Sequence, residues 1–380
     1  MELWKWLLLG AAVAALVLAA PRGASDRPAV EVERPAFVAH EVTFGHAEAT
    51  LAGTLTIPVG QGPYPGLVLI SGSGPQNRDE ELAGVPGYRP FRWIAEYLSS
   101  RGLAVLRYDD RGVGRSTGDA TTATTEDLST DAEAALACLA ARREVDAGRV
   151  GLLGHSEGAT VAAMVAARND RAAFVVSLAG PAVDGHRLTV RQVERILLAS
   201  GADPEVAAAA AAQQRQILDM ARSGDWEALE TRLVEISRAQ LAALPPEERE
   251  AMGDLDQAAL AAAADQLASL QSPWYQFYLA YDPSEDWAQV TVPVLAVFGG
   301  LDVQVDVEQN KQPLLAALAG AGNSDVTVVV LPDANHLFQP AVTGGVQEYA
   351  TLPATFVPRL LPTIGDWILA RTGQPSPGDG

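Results

Sequence analysis

Ser156 sits at the centre of Gly154-His155-Ser156-Glu157-Gly158, a G-x-S-x-G pentapeptide with an apolar run before it (150–153) and a small, helix-compatible run after it (159–167). Strand, sharp turn and helix in that order hold a serine on a strained turn, and glycines two residues to either side let strand and helix approach without a clash. Ser156 is therefore a candidate nucleophile. The amides that open the following helix point to where a tetrahedral oxyanion would form. Serine at neutral pH is a weak nucleophile and needs a base, which in turn needs a carboxylate to fix its tautomer and stabilise the imidazolium. Asp302 and His336 fall just past the last two strand patterns, at 292–298 and 326–331, on the sheet edge expected for Ser156. The chain order serine, acid, histidine is one that such triads use.

Other residues compete for these roles. Asp306 lies four residues beyond Asp302, and Asp333 is close to His336. Asp302 is preferred because it stands in the first turn after its strand. His155 adjoins the nucleophile, but its side chain is expected to point away from the site. An oxyanion hole needs two amides. One is expected from Glu157, and the other from Ser71-Gly72-Ser73-Gly74, with Ser73 first and Gly74 in reserve.

The elements that must position these residues alternate along the chain. An antiparallel pair of strands opens at 38–58, and His40 and His46 read there as surface residues. A buried strand follows at 66–70, a helix at 91–101 and a strand at 103–108. A long helix spans 125–143, with Thr125-Glu126-Asp127 as capping residues, and the strand leading to the pentapeptide and another at 173–178 come next. Continuous apolar runs ending in glycine-rich loops suit parallel strands buried on both faces. Strands alternating with helices imply an α/β fold with a mainly parallel sheet, whose ligands bind beyond the carboxyl ends of the strands. The alternation then stops for about a hundred residues of Ala-rich helical pattern, with helices at 189–200, 204–223, 225–243 and 255–270. The expected organisation is a core of 38–183 and 291–373, a helical cap at 184–290, a linker at 21–37 and a flexible tail at 374–380. Within the cap, Trp274, Tyr275 and Phe277 either line a substrate pocket or pack cap against body. A helix at 307–318 and a closing helix at 356–371 complete the pattern.

The chain has 380 residues, 48% hydrophobic, with 34 Gly and 24 Pro, enough to bury a large core. A formal charge of −20 disfavours nucleic acid and anionic membrane surfaces as partners, since both call for clustered Lys and Arg. The one cysteine, Cys138, lies in a helical pattern and reads as a small buried apolar residue, so no disulfide or zinc framework is expected. No cofactor and no metal site is expected either. Residues 1–20 resemble a secretory signal, with an apolar run at 7–20 and a small-residue cleavage site near Val17-Leu18-Ala19. An exported, periplasmic or secreted protein follows, or one tethered to the membrane through an uncleaved N-terminal segment.

With these motifs in place, the chain resembles the α/β-hydrolase superfamily, and within it a bacterial group of serine esterases with a helical cap, related to acylaminoacyl peptidases and prolyl aminopeptidases. The resemblance covers nearly all of 38–371. It rests on S-G-S-G-P-Q-N-R-D from Ser71, Y-D-D-R-G-V-G-R-S from Tyr108, G-H-S-E-G at the turn, S-P-W-Y-Q-F from Ser272 and N-H-L-F from Asn335. It implies Ser156 as nucleophile, Asp302 as acid and His336 as base. The chain departs from the pattern at Asn77, where many relatives have Asp, and at Ala159, where a second Gly often follows the turn. The expected activity is hydrolysis of a small-molecule ester through an acyl-enzyme, with amide or peptide hydrolysis as the nearest rival. A binding module on a hydrolase scaffold ranks below both. A nucleotide-binding reading of Gly112-Val113-Gly114-Arg115-Ser116-Thr117-Gly118 fails on spacing and on the absence of a helix at the second glycine.

Overall fold

A computed structural model describes residues 36–373 apart from 47 and 83. The leader or anchor expected at 1–20, nearly all of the linker and the tail at 374–380 lie outside the described residues. The strands are β1 (Phe37–Gly45), β2 (Thr50–Pro58), β3 (Tyr64–Ile70), β4 (Ala104–Tyr108), β5 (Val145–His155), β6 (Val175–Leu178), β7 (Val294–Gly299) and β8 (Val326–Leu331). They form one eight-stranded sheet in the order β1-β2-β4-β3-β5-β6-β7-β8. The pairs β1–β2 and β2–β4 are antiparallel, and every other neighbouring pair is parallel. From β3 the chain moves outward to β4 and returns to β5 on the other side of β3. The strand order thus reverses between β3 and β5, where an open α/β sheet leaves a crevice beyond its carboxyl ends.

The apolar runs of the central strands alternate between two cores because successive side chains point to opposite faces. Val68 and Ile70 join one core with α2 (Thr125–Ala140), α3 (Glu157–Arg168) and α11 (Val307–Gly320). Leu67 and Leu69 join the other with α1 (Pro90–Ser100) and α12 (Leu360–Thr372). Each fully buried Leu or Val contributes about 1.5–3 kcal/mol.

The boundaries differ from the sequence reading in a few places. Thr124, not Thr125, caps α2, forming a reciprocal capping box with Asp127. The closing helix begins at Leu360 rather than at 356, after a loop containing only a short 3₁₀ turn at Val346–Glu348. Cys138 is half-buried rather than buried.

Between β6 and β7 the chain is helical, as expected: α4 (Gly185–Ala199), α5 (Pro204–Ser223), α6 (Trp226–Ala242), α7 (Pro246–Met252), α8 (Leu255–Gln271), α9 (Pro273–Ala280) and α10 (Ser284–Trp287). Aspartates cap four of these helices, Asp184, Asp203, Asp225 and Asp254 each accepting an amide of the first turn. Val190, Leu218, Leu229, Leu233 and Leu279 give the insertion a core of its own. Trp287, at its end, is fully buried in the core of the sheet. The three short helices α7, α9 and α10 have too few turns for a helical period to show in the sequence.

Candidate active site

Ser156 occupies the turn between β5 and α3 at φ 54° and ψ −122°, a left-handed backbone uncommon for a residue with a side chain. Its amide donates to Leu178 O at 2.9 Å, and its carbonyl accepts the Ala159 amide at 3.0 Å, so the turn is held on both sides. Only glycine fits at the flanking positions. A Cβ on Gly154 would meet Gly158 O at 2.0 Å, and one on Gly158 would meet Ile70 O at 2.1 Å.

Asp302 and His336 come from the loops after β7 and β8. The His336 loop folds back over β7, and Gly299 and Gly300 permit this because a Cβ on either would strike the backbone of residues 332–335 at about 2.6 Å. His336 Nδ1 donates to Asp302 Oδ2 at 2.8 Å. The other carboxylate oxygen, Oδ1, accepts the amides of Gln304 at 2.8 Å and Val305 at 2.9 Å. Both residues are buried, with 2% exposure for Asp302 and 5% for His336. The rival acids have other tasks. Asp306 caps α11 and pairs with Arg191 and Arg195, while Asp333 is exposed. Among the described residues the Ser156 hydroxyl makes no hydrogen bond, so the structure joins Asp302 to His336 but does not close the link to Ser156.

The loop after β3 lies against Ser156, since a Cβ on Gly72 would stand 3.3 Å from Ser156 Cβ. Ser73 and Gly74 are exposed beside it. Buried carboxyl groups hold this loop. Asp110 Oδ1 accepts the Ser71 hydroxyl and Oδ2 the Gln76 amide, both at 2.9 Å, while Glu80 Oε1 accepts the Gly72 amide at 2.8 Å. Burial pushes the Asp110 carboxyl up to about 8, against those two donors and with help from the charges of Glu80 and Glu157.

Glu157, next to Ser156, is buried under the helical insertion. Its Oε1 accepts Thr125 Oγ1 at 2.6 Å and Trp274 Nε1 at 2.8 Å, and its Oε2 has no partner among the described residues. Trp274 stacks on Tyr278 with centroids 5.2 Å apart. Of the three aromatics singled out in the sequence, Trp274 hydrogen-bonds the elbow at Glu157. Tyr275 is buried in the insertion's own core and Phe277 stacks on Tyr281, because α9 turns its successive residues to different sides.

Sequence reasoning missed Glu80. His155 lies beneath the elbow, against the loop that carries His336: Nδ1 is 2.9 Å from Glu80 Oε1 and Nε2 is 3.0 Å from the His336 carbonyl. In the sequence, Glu80 is the middle of Asp79-Glu80-Glu81, a run that reads as a solvated turn, and nothing in the spacing pairs it with His155. Among the described residues no group of His, Cys, Asp and Glu is arranged to hold a metal ion.

A family model described as X-Pro dipeptidyl-peptidase (S15 family) matches residues 37–336. Esterase EstD of Thermotoga maritima is 31% identical over 310 residues, covering 81% of this chain but 63% of that protein, so the chain spans less than two thirds of that relative's length. Among solved structures, an esterase of Pyrococcus furiosus aligns with a TM-score of 0.53 at 16% identity, over 91% of this chain and 97% of its own. The alpha/beta hydrolase GrgF from Penicillium sp. sh18 aligns with a TM-score of 0.51 at 18% identity, over 88% and 99%. Likeness at such identities concerns the fold, and the sheet order and flanking helices described above are those of the α/β-hydrolase fold.

Proposed function

The chain belongs to the S15 family, described as X-Pro dipeptidyl-peptidases, and from that premise we propose that it is a serine hydrolase cleaving carboxylic esters through Ser156, His336 and Asp302. What carries the reading is the buried Asp302–His336 hydrogen bond on the sheet edge that presents Ser156 at a positive φ. With Nδ1–H donated to Asp302, Nε2 is left as the base. His336 takes the Ser156 proton as Oγ attacks the ester carbonyl, and returns it to the leaving alcohol. Water then attacks the acyl-enzyme by the same route. The amides of Glu157 and Ser73 receive the oxyanion in both halves, with Gly74 as the reserve donor.

Ester chemistry is placed first because Esterase EstD is the relative that shares 31% identity. Amide or peptide hydrolysis is the second reading, favoured by the description of the family model. The same apparatus serves both, so a panel of p-nitrophenyl esters beside aminoacyl and X-Pro amides decides between them. The helical insertion at 184–290 acts in this scheme as a cap over a small-molecule substrate, with Trp274 meeting the core at Glu157. Residues 1–20 serve as an export signal or retained anchor, which sequencing of the mature N-terminus after expression with its host's secretion system tests.

The test of the mechanism is the mass of the purified protein after fluorophosphonate treatment, beside Ser156→Ala and His336→Ala. One adduct on Ser156, absent in Ser156→Ala and strongly slowed in His336→Ala, is the expected result. A folded protein that takes no adduct overturns the mechanism and leaves the binding-module reading.

A further inference from the structure

The base loop and the oxyanion loop come from opposite sides of β5, and one buried pair of side chains touches both. Glu80, 4% exposed and itself at φ 53°, accepts the Gly72 amide on the same Oε1 that faces His155 Nδ1. On its other side, His155 Nε2 faces the carbonyl of His336, and the two imidazole rings lie 4.9 Å apart. The next carbonyl, that of Leu337, accepts the Tyr88 hydroxyl. The space left between Glu80, Tyr88, His155 and Phe338 is about 10 Å³, room for at most one water, so the ring nitrogens depend on protein partners.

A carbonyl can only accept, so His155 Nε2 carries a proton. Nδ1 faces a carboxylate oxygen that already accepts an amide, and a second proton there makes the ring an imidazolium beside its counter-ion. We propose that Glu80 and His155 form a buried carboxylate–imidazolium pair that positions the catalytic apparatus, holding the His336 backbone at one end and the Gly72–Ser73 loop at the other. This rests on the triad reading above. Glu80 and His155 touch neither substrate nor reacting atoms and act through the loops they hold. Burial opposes the charge on His155, but the Glu80 carboxylate and the His336 carbonyl outweigh it and raise its affinity for the proton. Among the described residues the other ionisable groups facing the pair are Tyr88, Asp110, Asp302 and His336. None of these is a cation competing for Glu80 unless His336 is protonated.

The test combines imidazole NMR with kinetics of His155→Gln and Glu80→Gln. The chain has only five histidines, so long-range proton–nitrogen spectra resolve each ring. In the wild type, His155 is expected to keep both N–H protons at pH 7, and in Glu80→Gln to lose one. His155→Gln is expected to lower kcat by about 10–100-fold, the scale of a sub-ångström displacement of catalytic groups, with KM within about threefold. It also leaves the Glu80 charge uncompensated near His336, which moves the acid limb of the rate profile to higher pH. A purely structural role would lower activity without moving that limb. A neutral His155 ring in the wild type at pH 7, or unaltered kcat and pH profile in a folded His155→Gln, overturns the proposal. Should the wild type take no fluorophosphonate adduct, the triad reading falls and the positioning role with it, while the NMR spectra still report the ion pair.

Discussion

Asp302→Asn changes one atom and is expected to abolish most activity, for a reason set by the backbone around it. Oδ1 of Asp302 accepts the amides of Gln304 and Val305, so an asparagine must keep its carbonyl oxygen there and turn its NH₂ toward His336. That NH₂ replaces the oxygen now 2.8 Å from Nδ1. Two donors cannot face each other, so Nδ1 gives up its proton and becomes an acceptor, and the proton moves to Nε2. A ring protonated at Nε2 cannot take the Ser156 proton. The expected loss is about 10⁴-fold in kcat, the size found when a triad base is held in the wrong tautomer, or about 5.5 kcal/mol of transition-state stabilisation. Stability should change little, within about 2 kcal/mol, because every hydrogen bond of residue 302 keeps a partner. The assay is kcat on p-nitrophenyl acetate and the rate of fluorophosphonate labelling, beside a thermal melt. A folded Asp302→Asn within tenfold of wild type in either rate would refute the tautomer argument.

Three other outcomes follow from the geometry. Gly158→Ala places a methyl 2.1 Å from the Ile70 carbonyl, where backbone cannot give way, and should cost more than about 3 kcal/mol, read from the denaturant midpoint; an unchanged midpoint would mean the elbow is not packed as described. Asp110, at about 8 in the fold against 3.8 unfolded, keeps a proton that the unfolded chain has lost between those values. Stability should therefore fall as pH rises through that window, by up to about 1.4 kcal/mol per pH unit from this group, and level off above about 8. Denaturation of Asp110→Asn from pH 5 to 9 should show a flatter profile, and a slope equal to wild type would contradict the assignment. Trp274→Phe removes the indole donor from buried Glu157, whose Oε2 already lacks a partner among the described residues. It should cost about 1–3 kcal/mol and raise KM, and a variant unchanged in both melting temperature and KM would show that the contact does not seat the insertion.

What the sequence by itself determined was local. The strand runs and the glycines around Ser156 encode an α/β sheet and a sharp turn, because side-chain alternation and steric crowding act over a few residues. The positions of Asp302 and His336 at strand exits were legible for the same reason, and so was the helical run between β6 and β7. Tertiary structure decided which acid meets the histidine. Asp302, Asp306 and Asp333 all follow strands of the same edge, and only the fold-back of the 332–340 loop brings His336 to the first, leaving Asp306 to cap a helix. It also decided the partners of Glu80, His155 and Trp274. Those contacts join residues 75, 181 and 117 positions apart, His155 to Glu80, His155 to His336 and Trp274 to Glu157. No periodicity or motif specifies such pairs. Their partners are chosen by which loops converge beyond the ends of β3, β5 and β8, where a buried carboxylate must find donors or lose the hydration that water gave it.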